Sequence, residues 1–269
     1  MNAPDSVATA APVLRYSASA GVAHLTLNRP DQFNALSEQL LAELAAALDR
    51  IGGDDTVRVV VIAGAGKAFC AGHDLKQMRA NPSLEYYQRL FAQCARVMRR
   101  IQTLPQPVIA RVHGIATAAG CQLVATCDLA VAAEEARFAV SGINTGLFCS
   151  SPAVPLTRNI GRKSAFEMLV TGDFIDAATA LARGLVNEVV PLADLDGAIA
   201  RLAARIIAKP AVAVAMGKEL FYRQLEMGID AAYQLAGQTM ACNMIDQVAQ
   251  EGVDAFINKR APNWPTPFD

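Results

Sequence analysis

The segments AFCAGHDL (residues 68–75) and VHGIATAAGCQL (residues 112–123) carry the strongest information about the fold. Each follows a run of aliphatic and β-branched residues, which is typical of a strand buried on both faces. Each is built mainly from small residues, which let main-chain N–H groups approach a ligand closely. The second segment leads into a predicted buried helix at residues 119–127, and a helix N-terminus favours developing negative charge. The two loops are therefore candidates for an oxyanion site, although such loops are more often only tight turns.

The rest of the N-terminal two-thirds repeats a pattern of strand, loop and helix. Alternating apolar residues predict a half-buried strand at residues 22–28, and helical spacing predicts helices that follow Ser37 and Ser83. Continuous aliphatic runs predict buried strands at residues 57–63, 108–112, 129–133 and 186–190. This recurrence predicts one large α/β unit rather than two unrelated domains.

The last third of the chain is predicted to be helical. Residues 192–260 have the pattern of almost continuous helix, with breaks near Pro210 and Gly228. The predicted organisation is therefore a flexible N-terminus at residues 1–12, an α/β core at residues 13–191 and a helical region at residues 192–269.

The composition excludes several classes of partner. The formal net charge is −1 and no cluster of Lys or Arg is dense enough for nucleic acid or an anionic membrane, so a small molecule or another protein is expected. The six cysteines are scattered without a CxxC pair, which favours reduced thiols and no metal site. The first residues lack a signal-peptide pattern and no long apolar stretch follows, so a cytoplasmic protein is expected. With 53% hydrophobic residues and 18% charged residues, contacts between subunits are also expected.

The two loops, preceded by LNRPDQFNAL (residues 27–36) and followed by the helical tail, resemble the crotonase superfamily of enoyl-CoA hydratases and isomerases. The resemblance extends over residues 14–264 in order and spacing. It implies an α/β fold, namely a spiral of ββα units with a C-terminal helical trimerisation region. It also implies a homotrimer or a hexamer made of two trimers, and an acyl-CoA thioester as ligand. No cofactor beyond the coenzyme A moiety of the substrate is implied.

The resemblance assigns roles to individual positions. The main-chain N–H groups of His73 and Ala119 would donate to the thioester oxygen as an oxyanion hole. The positions implied to contact the rest of the ligand are Arg29, Phe69, Ala71, Asp74, Lys76, Gly114 and Lys259. Carbonyl groups near Phe69, Ala71 and His73 would face the adenine amine. The side chains of Arg29, Lys76 and Lys259 would contact phosphates. Taken singly, each basic residue is more simply explained as a solvated surface residue, and Asp74 as a carboxylate that caps nearby N–H groups.

Two positions depart from the pattern of the hydratases. Family hydratases carry one glutamate two residues after the small triplet and another about twenty residues later, and the two together activate water. Gln122 and Gly142 occupy these positions, and neither side chain can exchange a proton in the working pH range. Ordinary hydration of a 2-enoyl thioester is therefore doubtful.

Other side chains could supply chemistry. The imidazole of His73 has a pKa suited to proton transfer, although the resemblance uses only its backbone. Cys149 could be a nucleophile, but capping of a helix by Ser150 or Ser151 is the simpler use of this segment.

Residues 146–152, GLFCSSP, are most similar to the superfamily branch named enoyl-CoA hydratase domain-containing protein 3. Two functions remain open. One is an enzyme of the hydratase/isomerase family that stabilises an enolate-like thioester oxyanion. The other is a trimeric protein that binds acyl-CoA without catalysis.

Overall fold

The computed structural model describes residues 11–264, so most of the predicted flexible N-terminus, residues 1–10, lies outside the described residues, as do residues 265–269. Ten strands occur in the described part of the chain. They are β1 (Leu14–Ser19), β2 (Val22–Leu27), β3 (Val59–Gly64), β4 (Ala68–Cys70), β5 (Val108–Val112), β6 (Ile115–Thr117), β7 (Leu129–Ala133), β8 (Arg137–Ala139), β9 (Ile175–Asp176) and β10 (Glu188–Val190).

The described helices fall between these strands and after the last of them. They are α1 (Glu38–Gly52), α2 (Leu75–Ala80), α3 (Leu84–Thr103), α4 (Ala119–Thr126), α5 (Ser150–Asn159), α6 (Arg162–Thr171), α7 (Ala177–Arg183), α8 (Leu195–Ile207), α9 (Ala211–Gln224), α10 (Ile229–Ile245) and α11 (Gln247–Ile257). The last four form the helical tail, with its breaks near Pro210 and Gly228 as predicted.

The strands form two sheets that the chain visits in turn. The larger sheet has the order β1-β2-β3-β5-β7-β10, and the smaller has the order β4-β6-β8-β9. After each of β3, β5 and β7 in the larger sheet, the next strand joins the smaller sheet. The larger sheet therefore grows in one direction only, and it lacks the reversal of strand order found in doubly wound dinucleotide-binding folds. The predicted spiral of ββα units is confirmed.

The helix starts follow from local side-chain chemistry. The Ser37 hydroxyl accepts a hydrogen bond from the Leu40 N–H, and the Ser83 hydroxyl accepts one from the Tyr86 N–H. A serine cap satisfies an N–H group that has no partner within the helix. Both helices therefore begin directly after the serines that the sequence singles out.

Both faces of the larger sheet are covered in its central strands. Val60 and Ile62 of β3 pack into the main core with α1 and α3, while Val59 and Val61 pack into a smaller cluster with Leu195 and its neighbours on α8. This double burial explains the continuous aliphatic runs of β3, β5 and β7.

Two predicted loops contain short strands. Residues 64–72 include β4, residues 113–118 include β6, and these two strands pair in parallel. Strands of three residues are too short to show a recognisable alternation, so only their pairing defines them. Strand β1 was also not predicted, because only Leu14 in it is buried.

Candidate functional site

The main-chain N–H of His73 points away from Leu36, the residue with which His73 forms a β-bridge. His73 forms an isolated parallel bridge with Leu36, in which the Leu36 N–H donates to the Gly72 carbonyl at 2.7 Å and the Asp74 N–H donates to the Leu36 carbonyl at 3.4 Å. These two bonds flank His73, so its own N–H and C=O point to the opposite side. Among residues 11–264, no backbone hydrogen bond uses the His73 N–H.

The N–H of Ala119 is free for a different reason. Ala119 is the first residue of α4, and the first N–H groups of a helix have no acceptor within it. The preceding Ala118 has φ +49°, which is uncommon for a residue other than glycine and is typical of strained functional loops. The Ala118 N–H donates to the Ala139 carbonyl at 3.0 Å, which fixes the start of α4 to β8.

Two glycines bring these N–H groups close together. A Cβ at Gly72 would lie 3.2 Å from the Ala119 nitrogen and 2.8 Å from the Ala118 Cβ. A Cβ at Gly120 would collide with the Cys70 carbonyl oxygen. The residue before His73 therefore contacts the start of α4, and the close approach of the two loops depends on Gly72 and Gly120 having no side chain.

Gln122 and Gly142 stand at the two positions for which the resemblance implies glutamate, and neither residue has a titratable side chain. The Gln122 side chain is 4% exposed, and its Oε1 is buried with no hydrogen-bond partner among the described residues. A Cβ at Gly142 would lie 2.5 Å from the Leu147 carbonyl oxygen and 2.7 Å from Cys149 Sγ. A side chain at position 142 would therefore meet Leu147 and Cys149.

Cys149 has a structural role in this arrangement. Its sulfur accepts a hydrogen bond from the Gly142 N–H at 3.3 Å, and burial raises the pKa of its thiol. A thiol rather than a thiolate is a poor nucleophile. Cys149 is also the cap residue of α5, without a side-chain capping bond, so the expected capping by Ser150 or Ser151 is wrong. Sequence reasoning missed the contact between Cys149 and Gly142, because only the fold brings them together.

The first loop is braced by an ion pair. Arg29 Nη2 lies 2.8 Å from Asp74 Oδ2, and Asp74 also accepts the Gln77 N–H at 3.1 Å as the cap of α2. Burial alone would raise the pKa of Asp74, but hydrogen bonds from Arg29 and the Gln77 backbone, with the charge of Arg29, hold that pKa below its usual value. The structure therefore supports the capping role that the sequence suggested for Asp74.

The remaining predicted contact residues are spread over the two loops and the tail. Arg29, Asp74 and Lys76 line one open surface cavity of about 710 Å³. Phe69 is fully buried in β4, and a Cβ at Gly114 would lie 2.5 Å from the Lys67 carbonyl oxygen.

Ala71 and Lys259 do not line this cavity. The Ala71 N–H donates to the Phe33 carbonyl at 3.0 Å. Lys259 is exposed just after α11 and is not among the residues that line this cavity.

Phe91 of α3 packs against the imidazole of His73. The ring of Phe91 meets that of His73 edge-on, with 5.4 Å between centroids, and Tyr87 stacks on Phe91 at 6.4 Å. His73 Nδ1 is buried with no hydrogen-bond partner in the described part of the chain. Burial lowers the pKa of His73, with a smaller opposite effect from the Leu36 backbone. Sequence reasoning missed Tyr87 and Phe91, although their spacing of four residues places them on one face of a helix.

Within residues 11–264, no helix is long and apolar enough to cross a membrane. The same residues contain no group of three or more His, Cys, Asp or Glu side chains that could hold a metal ion.

Known proteins match this chain over most of its length. Residues 17–267 match the enoyl-CoA hydratase/isomerase family. Enoyl-CoA hydratase domain-containing protein 3, mitochondrial, is 45% identical in Xenopus laevis and 42% identical in Homo sapiens, each over 244 residues that cover 91% of this chain and 83% and 80% of the relative.

Two crystal structures have the same fold. An enoyl-CoA hydratase from Mycobacterium smegmatis has a TM-score of 0.94 and 63% identity, and the match covers 95% of this chain and 100% of that one. Human enoyl-CoA hydratase domain-containing protein 3 has a TM-score of 0.91 and 40% identity, with coverage of 94% and 100%. The chain therefore belongs to the enoyl-CoA hydratase/isomerase family of the crotonase superfamily, in the branch of enoyl-CoA hydratase domain-containing protein 3.

Proposed function

We propose that the protein binds an acyl-CoA thioester and stabilises an enolate-like oxyanion between the N–H groups of His73 and Ala119. The observation that supports this most directly is that neither N–H group has a backbone acceptor among residues 11–264. In addition, Gly72, the residue before His73, contacts the Ala119 nitrogen. In other oxyanion holes each donor contributes about 2.7–4 kcal/mol to the transition state. The helix dipole of α4 would add to this stabilisation.

The proposed binding mode places coenzyme A along the first loop, with no further cofactor. Main-chain carbonyls near Phe69, Ala71 and His73 would face the adenine, and Arg29, Lys76 and Lys259 would supply positive charge for the phosphates. Arg29 would have to contact phosphate while paired with Asp74, or give up that pair.

The alternative function is acyl-CoA binding without catalysis. It is favoured by Gln122 and Gly142, because neither can activate water. The two functions predict the same thioester binding and differ in turnover with enoyl, 3-hydroxyacyl and malonyl thioesters.

Replacing Gly120→Ala tests the carbonyl site. The new Cβ collides with the Cys70 backbone, so the two loops must separate. We expect the dissociation constant for butyryl-CoA to rise about tenfold, equivalent to about 1.4 kcal/mol, while free coenzyme A is weakened less because it has no thioester carbonyl. Isothermal titration calorimetry measures both.

The control for this experiment is Gly161→Ala. Gly161 is an exposed cap residue with no neighbouring atom within 4 Å of a new Cβ, so both ligands should bind as in the wild type. Thermal unfolding shows whether each variant is folded. Equal weakening of butyryl-CoA and free coenzyme A by Gly120→Ala would contradict the proposed position of the carbonyl.

We also propose a homotrimer, or a hexamer of two trimers, with contacts between residues 211 and 244. Large apolar side chains of α9, α10 and the turn between them are exposed, among them Phe221, Leu225, Ile229, Tyr233, Met240 and Met244. Exposed apolar surface of this extent typically marks an interface. Light scattering is expected to give a mass of three or six chains, and a stable monomer at micromolar concentration would contradict the proposal.

The proposed location is the cytoplasm. The names of the vertebrate relatives give a mitochondrial location for those proteins, so imaging of a tagged full-length chain in its own cells is the direct test.

A further inference from the structure

The proposed function does not identify the group that takes a proton from the acyl chain. Most titratable side chains around the two loops are not free to accept one. Asp74 is paired with Arg29 and caps α2. Burial raises the pKa of Cys70 and Cys121 to about 12, and Cys149 is bonded to the Gly142 N–H. These groups are either already bonded or protonated at neutral pH.

His73 differs from them in three respects. The Nδ1 atom of its imidazole is buried and has no hydrogen-bond partner among residues 11–264. Contact with Phe91, itself stacked on Tyr87, holds the ring in place. Because burial lowers its pKa, the imidazole is neutral at pH 7 and can accept a proton.

We propose that the imidazole of His73 is the catalytic base that exchanges a proton with the α carbon of the bound acyl-CoA. This inference rests on the proposed function, because it requires the thioester carbonyl at the N–H of the same residue. A hydrogen-bonded carbonyl oxygen lies about 3 Å from that nitrogen, and the acyl α carbon is only two bonds from the oxygen. An α carbon held in this way would lie close to the His73 main chain, and the proposal requires the imidazole to reach it from there.

The proton transfer requires no reactant other than the bound thioester and the imidazole of His73. An imidazole nitrogen takes the α proton, the C–H electron pair forms the enolate double bond, and the negative charge moves to the thioester oxygen between the N–H groups of His73 and Ala119. The imidazolium then returns a proton to the α carbon, or to the γ carbon of an unsaturated chain. The substrate class is therefore acyl-CoA thioesters with an exchangeable α hydrogen, and the step requires neither Gln122 nor Gly142 to titrate.

Hydrogen exchange on a saturated thioester isolates this step, since butyryl-CoA cannot be hydrated. In heavy water the wild type is expected to place deuterium at the α carbon, as measured by mass spectrometry. The base form of His73 predominates above its lowered pKa, so the exchange rate should fall as pH drops through a value below 6.5 and be flat above it.

Substitution His73→Gln removes the imidazole and keeps the main-chain N–H. We expect exchange at least about tenfold slower, without the pH dependence, and with unchanged butyryl-CoA affinity. The matched control is His24→Gln, because His24 lies on β2 and lines a separate cavity with Arg111 and Asp196. This control should keep both the rate and the pH profile of exchange.

The outcomes separate the inference from the proposed function. Binding of butyryl-CoA without exchange in the wild type would overturn the role of His73 alone, as would equal exchange in wild type and His73→Gln. Failure of the wild type to bind butyryl-CoA would overturn the proposed function and this inference with it.

Discussion

Crotonyl-CoA is expected to bind to the wild-type protein and to be hydrated at least about 10²-fold more slowly than by a relative with both glutamates. Hydration requires a group that takes a proton from water and another that delivers one to the α carbon. Gln122 and Gly142 can do neither. The measurement is the loss of ultraviolet absorbance of the enoyl thioester, after binding has been confirmed. A full hydratase rate in the unmodified protein would contradict the assignment.

The single substitution Gln122→Glu is the sharper test of this explanation. The Gln122 side chain is 4% exposed, and such burial raises the pKa of a carboxyl group towards the range useful for general acid catalysis. One restored carboxyl group should increase hydration about tenfold or more, which is less than the full effect of an acid/base pair. The control is Gln122→Met, which has a similar volume and no proton to transfer, and it should give no increase.

A substitution at Gly142 cannot complete the pair. A Cβ there would lie 2.5 Å from the Leu147 carbonyl oxygen, which is a backbone atom, and 2.7 Å from Cys149 Sγ. Gly142→Glu therefore requires a shift of residues 142–149. In the double variant with Gln122→Glu, the hydration rate would reflect both this change in packing and the added carboxyl groups. Leu147 and Cys149 therefore leave no room for a glutamate side chain at position 142 unless the backbone moves.

The elements that were predictable from the sequence are those with strong local signals. Ser37 and Ser83 cap their helices, and strand β5 lies at the predicted residues 108–112, because capping and aliphatic runs depend on neighbouring residues. The short strands β4 and β6 were not predictable from the pattern, since their pairing depends on the spiral bringing distant loops together. The resemblance to the superfamily supplied the spiral itself.

The candidate site was also predictable only where the sequence carries a local signal. Small residues in the two loops indicated main-chain donors, and the structure places Gly72 against Ala119 as this interpretation requires. The hydrogen bond between Gly142 and Cys149 was not predictable from the sequence, because the two residues are seven positions apart and a turn lies between them. The sequence also did not predict that His73 Nδ1 has no hydrogen-bond partner among residues 11–264, because burial and the absence of partners are properties of tertiary packing.

A buried ion pair connects the helical tail to the core. Lys218 Nζ of α9 donates to the carbonyls of Ile101 and Gln106 at 2.8 and 2.9 Å, and to Asp128 Oδ2 at 2.6 Å. Asp128 also accepts the Tyr222 hydroxyl at 2.7 Å. Burial lowers the pKa of Lys218, while the charge of Asp128 opposes that shift. Asp128 lies two residues after the end of α4, so this network joins the tail to the segment next to the helix that carries the Ala119 N–H.

Replacing Lys218→Met is expected to reduce the free energy of unfolding by about 3–5 kcal/mol, because it leaves the Asp128 charge buried with fewer partners. For a chain of this size about 1 kcal/mol shifts Tm by about 2–4 °C, so calorimetry should show a Tm lowered by roughly 6–20 °C. The control is Arg223→Met on the same helix, whose ion pair with Glu219 is exposed and should contribute below about 1 kcal/mol. The double variant Lys218→Met, Asp128→Asn should lose less than the sum of its single variants, because no buried charge is then left unpaired. Equal Tm values for Lys218→Met and Arg223→Met would show that the buried pair contributes no more than a surface one.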